Sequence, residues 1–306
     1  MKEQIIVLGG SGMLGSMLVD HLSRDPGLLV TATVRSKKLA EWGNARIPDA
    51  RWTVFDADSS LSAGMALFNQ QQWVLNAIGI TKPLIREDDT SDMERAVRIN
   101  CMLPYLIAQR AHETGARVLQ IATDCVYSGS KGAYVESDPH DALDVYGKTK
   151  SLGEPPAPNF YNLRCSIIGP EPRDHKFLLD WLVSQPPDAV VNGYTNHWWN
   201  GLTTLHFAKI CHAIITHNLM IPNVIHLTSN GKVTKFDMLE SISDGYRRKD
   251  VSITRVDADV AIDRTLSTND EPQQHELWLK SGYQTPPSVH EMIAEIAAYD
   301  YRFADR

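Results

Sequence analysis

Cysteine is scarce in this chain, with four in 306 residues and no two in a CxxC pair. Cys101, Cys125, Cys165 and Cys211 are widely spaced and mostly set in apolar runs, which reads as free thiols in a reducing compartment rather than a disulfide framework or a zinc site. The histidines offer no metal set either. His206, His212 and His217 share one stretch, but spacings of six and five do not bring them onto one helical face, so no metal is expected. Basic charge is short as well: 30 Lys and Arg stand against 37 Asp and Glu, for a formal charge of -7. A protein that neutralises nucleic-acid phosphates needs the opposite balance. No apolar run approaches the roughly 20 residues of a membrane span, and no repeat or low-complexity tract is visible. With the first apolar strand beginning at Ile5, the expected setting is the cytoplasm, with no membrane partner.

What the chain does have is alternation. Short apolar runs at 5–8, 28–34, 52–55, 73–78, 118–122 and 161–168 alternate with longer helical patterns, such as the stripe Leu14, Met17, Leu18 and Leu22. A further helix is expected over 92–114, ended by Gly115 and kinked at Pro104. This order predicts an α/β fold: a Rossmann-type doubly wound parallel sheet with a smaller C-terminal substrate-binding lobe. The expected division is a dinucleotide-binding domain over 1–168 with returning elements around 200–228. The lobe then takes 169–199 and 229–306, where prolines and the patch His197-Trp198-Trp199 change the composition.

The string GGSGMLG places Gly9, Gly12 and Gly15 directly after a strand and at the opening of a helix. A pyrophosphate needs a tight turn, backbone without Cβ where it approaches, and the unpaired N–H groups of a helix start. The cradle is therefore expected from Gly9, Ser11, Gly12, Met13, Leu14 and Gly15. Arg35 stands at the end of the second strand, where an NAD enzyme usually holds an acid for the ribose 2′-hydroxyl. With Lys37 and Lys38 beside it, it favours the 2′-phosphate of NADP(H), NAD remaining possible. Asp56, closing the third strand, is placed to accept from the adenine amino group, with Ala77, Ile78 and Gly79 lining its far side.

Tyr146 and Lys150 lie four apart, so on a helix they share a face. An ammonium beside a phenol lowers its pKa from about 10 and makes it a usable acid or base. The fifth strand ends at Thr123-Asp124, and in a parallel sheet the ligand crevice lies at the strands' carboxyl ends. There a Thr hydroxyl can polarise a substrate carbonyl.

These residues in this order resemble the extended short-chain dehydrogenase/reductase superfamily. Within it TDCVYSG (Thr123 to Gly129), YGKTKSLGE (Tyr146 to Glu154) and NLRCSIIG (Asn162 to Gly169) resemble the dTDP-4-dehydrorhamnose reductase family. The resemblance implies an NADPH-dependent oxidoreductase of nucleotide-sugar and polysaccharide metabolism, which transfers hydride to C4 of a 4-keto-6-deoxy nucleotide sugar. Thr123, Tyr146 and Lys150 would be catalytic, Asn100 structural, and a homodimer common. Cys125 replaces the usual aromatic and Ser128 a common Asp. Asp124, Cys125, Lys82, Trp199 and Asn200 are the candidate substrate contacts, Trp198 or Trp199 stacking on the nucleotide base or simply packing. Two other readings stand: an epimerase or dehydratase, the latter disfavoured by Cys125 where it needs an acid, and a non-catalytic NADP-binding regulatory subunit.

Overall fold

A strand covered on both faces needs near-continuous apolar sequence, and β1 (Glu3–Leu8) has Ile5, Ile6, Val7 and Leu8 all fully buried. The computed structural model describes residues 2–304. The chain divides into two compact units. The first comprises residues up to Val126, His140–Arg164 and Met220–Ile225; the second comprises Tyr127–Pro139, Cys165–Leu219 and the chain from His226 onward.

In the first unit β1 is followed by α1 (Met13–Leu22), β2 (Leu28–Val34), α2 (Lys37–Arg46), β3 (Arg51–Val54), β4 (Trp73–Asn76), α3 (Thr90–Ala96), α4 (Leu103–Thr114), β5 (Arg117–Thr123), α5 (Val145–Leu152) and β6 (Phe160–Cys165). These strands and a returning strand, Val224–His226, form a seven-stranded sheet in the order returning strand, β6, β5, β4, β1, β2, β3. The β1–β2, β1–β4, β2–β3 and β4–β5 pairs are parallel, and strand order reverses between β1 and β4. This is the expected doubly wound Rossmann arrangement, whose crevice lies beyond the carboxyl ends at the reversal.

Two elements differ from expectation. The apolar run 161–168 is broken at Ser166, whose carbonyl accepts from Leu202 N–H at 2.9 Å. The helix over 92–114 is interrupted by a π-helical stretch, Val97–Met102, between α3 and α4. Pro104 then falls at the second residue of α4, directly after the π-helical stretch, whose helical backbone runs on into α4 without a break.

The second unit holds β7 (Ile167–Ile168), α6 (Leu178–Val183), β8 (Val190–Tyr194), β9 (His197–Trp199), β10 (Leu202–Thr203) and α7 (Thr204–Thr216). After the returning strand, now β11 (Val224–His226), come β12 (Val233–Thr234), α8 (Lys235–Gly245), β13 (Ser252–Val256), β14 (Ile262–Asp263), α9 (Glu271–Lys280) and α10 (Val289–Ala298). Its ladders are short: β7 with β10, β8 with β13, and β9 between β12 and β14. Helix packing carries the rest, with Leu205, Phe207, Ile210 and Ile214 of α7 buried. Among the described residues no helix is long and apolar enough to cross a membrane, and no three His, Cys, Asp or Glu side chains could hold a metal ion.

Candidate active site

The glycine turn joins β1 to α1. Gly9 has φ +83°, a left-handed conformation that a Cβ would strain, and its N–H donates to Thr33 Oγ1 at 3.1 Å. A Cβ on Gly15 would stand 2.1 Å from Gly9 O, so only glycine lets α1 pack this close to the turn. Gly12 meets no such wall. It is exposed, a Cβ there would find only Gly9 O at 3.5 Å, and no side chain caps α1. The first-turn N–H groups, from Met13 onward, therefore open a helix that no side chain caps beside an exposed glycine, which fits an approaching diphosphate. Ser11 is buried and Leu14 packs inward.

The β2 and β3 ends lie side by side, in the register Val34 with Val54, which sets exposed Arg35 beside Phe55-Asp56. The Asp56 carboxylate already accepts from Asp58 N–H at 3.1 Å and Ser59 Oγ at 2.7 Å. On the other side, Ile78 Cγ1 lies 3.0 Å from where a Gly9 Cβ would be, and Ala77 N–H donates to Leu8 O at 3.1 Å. Ala77 and Ile78 thus wall the glycine turn, and Gly79 follows, exposed. The turn, the uncapped helix and the exposed Arg35, whose charge also acts on Asp58, suit a dinucleotide.

Thr123 ends β5. Its Oγ1 accepts from Cys125 N–H at 3.1 Å and lies 3.2 Å from Asp124 Oδ1. α5 is capped by Asp144, whose carboxylate accepts from Gly147 N–H at 2.8 Å and, on its other oxygen, from Lys82 Nζ at 2.9 Å. Lys82 is thereby held at the start of the helix that carries Tyr146. Tyr146 is half-buried and packs against the main apolar cluster. Lys150 is buried, and its Nζ donates to Ile121 O at 2.9 Å.

The charge balance on the phenol differs from the expectation of an ammonium-lowered pKa. Burial is the largest influence and pushes the Tyr146 hydroxyl well above the usual phenol value; Cys125, Asp124 and Asp144 push the same way, and the Thr123 hydroxyl only partly opposes them. The ligand-free protein therefore holds Tyr146 as a protonated acid.

Of the residues that hold α5 in place, the sequence singled out only Asn100, as structural, and missed the rest. Asn100, on the π-helical stretch, accepts from Ile80 N–H at 2.8 Å and donates to Ile80 O at 3.0 Å and Thr149 Oγ1 at 3.2 Å. A Cβ on Gly147 would meet Cys125 O at 2.5 Å, and one on Gly153 would meet Asn100 O at 1.8 Å. Beneath them Gln120 joins Asn76, Gly153 O and Asn162 in a buried chain. Only the polar letters Asn76, Gln120 and Asn162 inside apolar strands signalled it.

Trp199 and Asn200 lie in the second unit. Trp199 is buried in β9, whereas Trp198 is exposed with Lys232 Nζ 4.5 Å above its ring. The Asn200 amide donates to Leu266 O at 2.7 Å and accepts from Leu266 N–H at 2.9 Å. Asn200 also lines a cavity of about 480 Å³, with Thr228, Lys232, Thr265 and His275, that lies wholly in this unit.

Methionine adenosyltransferase 2 subunit beta of Rattus norvegicus is 23% identical over 167 residues, covering 51% of this chain and 50% of that protein. A dTDP-4-dehydrorhamnose reductase of Streptomyces griseus is 31% identical over 154 residues, covering 50% of this chain and 44% of that protein. The chain spans about half the length of the curated relatives it matches. Its fold is shared with the crystal structure of dTDP-4-dehydrorhamnose reductase from Bacillus anthracis in complex with NADP, at TM-score 0.70 and 17% identity over 97% of this chain and 99% of that one. The family model for the RmlD substrate binding domain matches residues 1–278, nearly the whole chain, and this protein belongs to that family.

Proposed function

We propose that this chain is an NADPH-dependent reductase of a 4-keto-6-deoxy nucleotide sugar, with Tyr146 as the general acid. The observation that carries the reading is the placement of Thr123 at the carboxyl end of β5 and of Lys150, fixed to the same strand through Ile121 O, with half-buried Tyr146 one helical turn before Lys150 on α5. The reductase names of the Streptomyces and Bacillus relatives, and the NADP held by the latter, support the same reading.

The cofactor, when bound, supplies the hydride that reduces C4. Gly9, Ser11, Gly12, Met13, Leu14 and Gly15 hold its diphosphate, Arg35 its 2′-phosphate, and Asp56, Ala77, Ile78 and Gly79 its adenine side. Thr123, now turned toward Asp124, swings its hydroxyl proton to the substrate carbonyl and so favours charge building on that oxygen. Tyr146 then gives its proton to the new alkoxide, and a Lys150 N–H stabilises the phenolate left behind. Lys82, Asp124 and Cys125 stand around the same strand ends as the substrate contacts.

The test is NADPH oxidation with a panel of 4-keto nucleotide sugars. Turnover is expected for at least one, and Tyr146→Phe should lower it by about 10²-fold or more while cofactor binding persists. Interconversion of sugars without net NADPH consumption would instead make the protein an epimerase. NADPH binding with no turnover, but with a changed activity of a partner enzyme, would make it a regulatory subunit.

A further inference from the structure

The turn beside Arg35 is acidic in sequence, carrying both Asp56 and Asp58, and two carboxylates next to a 2′-phosphate would repel it. The structure engages them in different ways. Asp56 is satisfied within its own turn by Asp58 N–H and Ser59 Oγ. Asp58 is gripped by an arginine from another element: Arg95 of α3 donates Nε to one oxygen at 2.7 Å and Nη2 to the other at 2.6 Å, a bidentate fork. Arg98, one helical turn on, donates Nη2 to Asp58 O at 2.6 Å and fixes the turn's backbone.

We propose that Arg95 is a specificity-determining residue: by cancelling the Asp58 carboxylate at the carboxyl end of β3, it makes the ground beside Arg35 tolerant of a 2′-phosphate. The inference rests on the NADP(H) reading above. Arg35 attracts the phosphate and Arg95 removes what would reject it; a negative element left uncovered there would act as discrimination in favour of NADH. The fork and the Arg98 contact together hold the turn that carries Asp56. Both side chains of the pair are about one-third exposed, so the influence on a neighbouring phosphate is screened and moderate rather than absolute.

Dissociation constants of NADPH and NADH, measured by fluorescence on the full-length protein, give a ratio that a merely structural role would not move, because lost packing weakens both cofactors alike. Arg95→Gln should lower the preference for NADPH by about fivefold, mainly through weaker NADPH binding. Adding Asp58→Asn to it should restore the wild-type ratio to within about twofold, since both charges are then gone. Asp58→Asn alone preserves shape, stands if Arg95→Gln folds poorly, and should raise the preference for NADPH. An unchanged ratio in either single variant, or a double variant that stays at the Arg95→Gln value, would overturn the proposal. Wild-type protein that binds neither cofactor would sink the NADP(H) reading itself.

Discussion

A phenol that must deliver a proton has to keep it until a basic oxygen arrives. Tyr146 keeps it because burial and three neighbouring groups, Cys125, Asp124 and Asp144, all oppose phenolate, with the Thr123 hydroxyl in its favour. The sign follows directly. An acid whose native pKa is raised stays protonated across neutrality, and its ionisation erodes folding stability only as pH climbs past the unfolded value of about 10. In the ligand-free protein, the tyrosinate absorbance assigned to this residue, wild type minus Tyr146→Phe, should therefore emerge only above about pH 10. A transition near neutrality in that difference would show that the phenol is held by an ammonium instead.

At the scale of elements, the site depends on where α5 is pinned. Asn100 ties the loop after β4 to Thr149 of α5, and it sits on a π-helical stretch, a local distortion that re-aims side chains. Asn100→Ala would orphan Ile80 N–H and O in a buried place, so a loss of about 2 kcal/mol in denaturant-measured stability is expected, together with lower turnover. Stability unchanged within about 0.5 kcal/mol would mean that water replaces the amide without cost. The parallel strands and α1 were legible because double burial leaves unbroken apolar runs and the turn needs glycine at Gly9 and Gly15. The π stretch was not, since its residues look like any helix; nor was the break at Ser166, which exists only because β7 turns to pair with β10. In the site, Tyr146, Lys150 and Thr123 could be named from spacing. The direction of the Tyr146 shift could not, because it depends on burial and on carboxylates brought in by folding.

On the scale of the whole molecule, the chain passes repeatedly between the two units, so neither is one continuous segment and the second must be held by contacts between distant stretches. One such hold is a polar cluster on Glu295 of α10. It accepts from Lys209 and from buried His206 of α7, at 3.1 Å for the latter, and from Tyr283 Oη at 2.7 Å. His206 Nδ1 lies 2.7 Å from Thr203 Oγ1, an arrangement that suits a neutral ring with its proton on Nε2. These hydrogen bonds, that from His206 first, hold the Glu295 carboxyl far below the usual range, while burial lowers the His206 pKa. Both shifts act in one direction on stability. The unfolded chain takes up protons first, at His206 below about pH 6.5 and at Glu295 below about pH 4.5, so stability is full above these values and drains as pH falls. Glu295 is 37% exposed at its side chain, and screening confines its share to about 1 kcal/mol. Melting temperatures across pH 3 to 8 should then show Glu295→Gln below wild type at neutrality and converging on it toward the acid end. Parallel curves would mean that the carboxylate contributes packing and no charge.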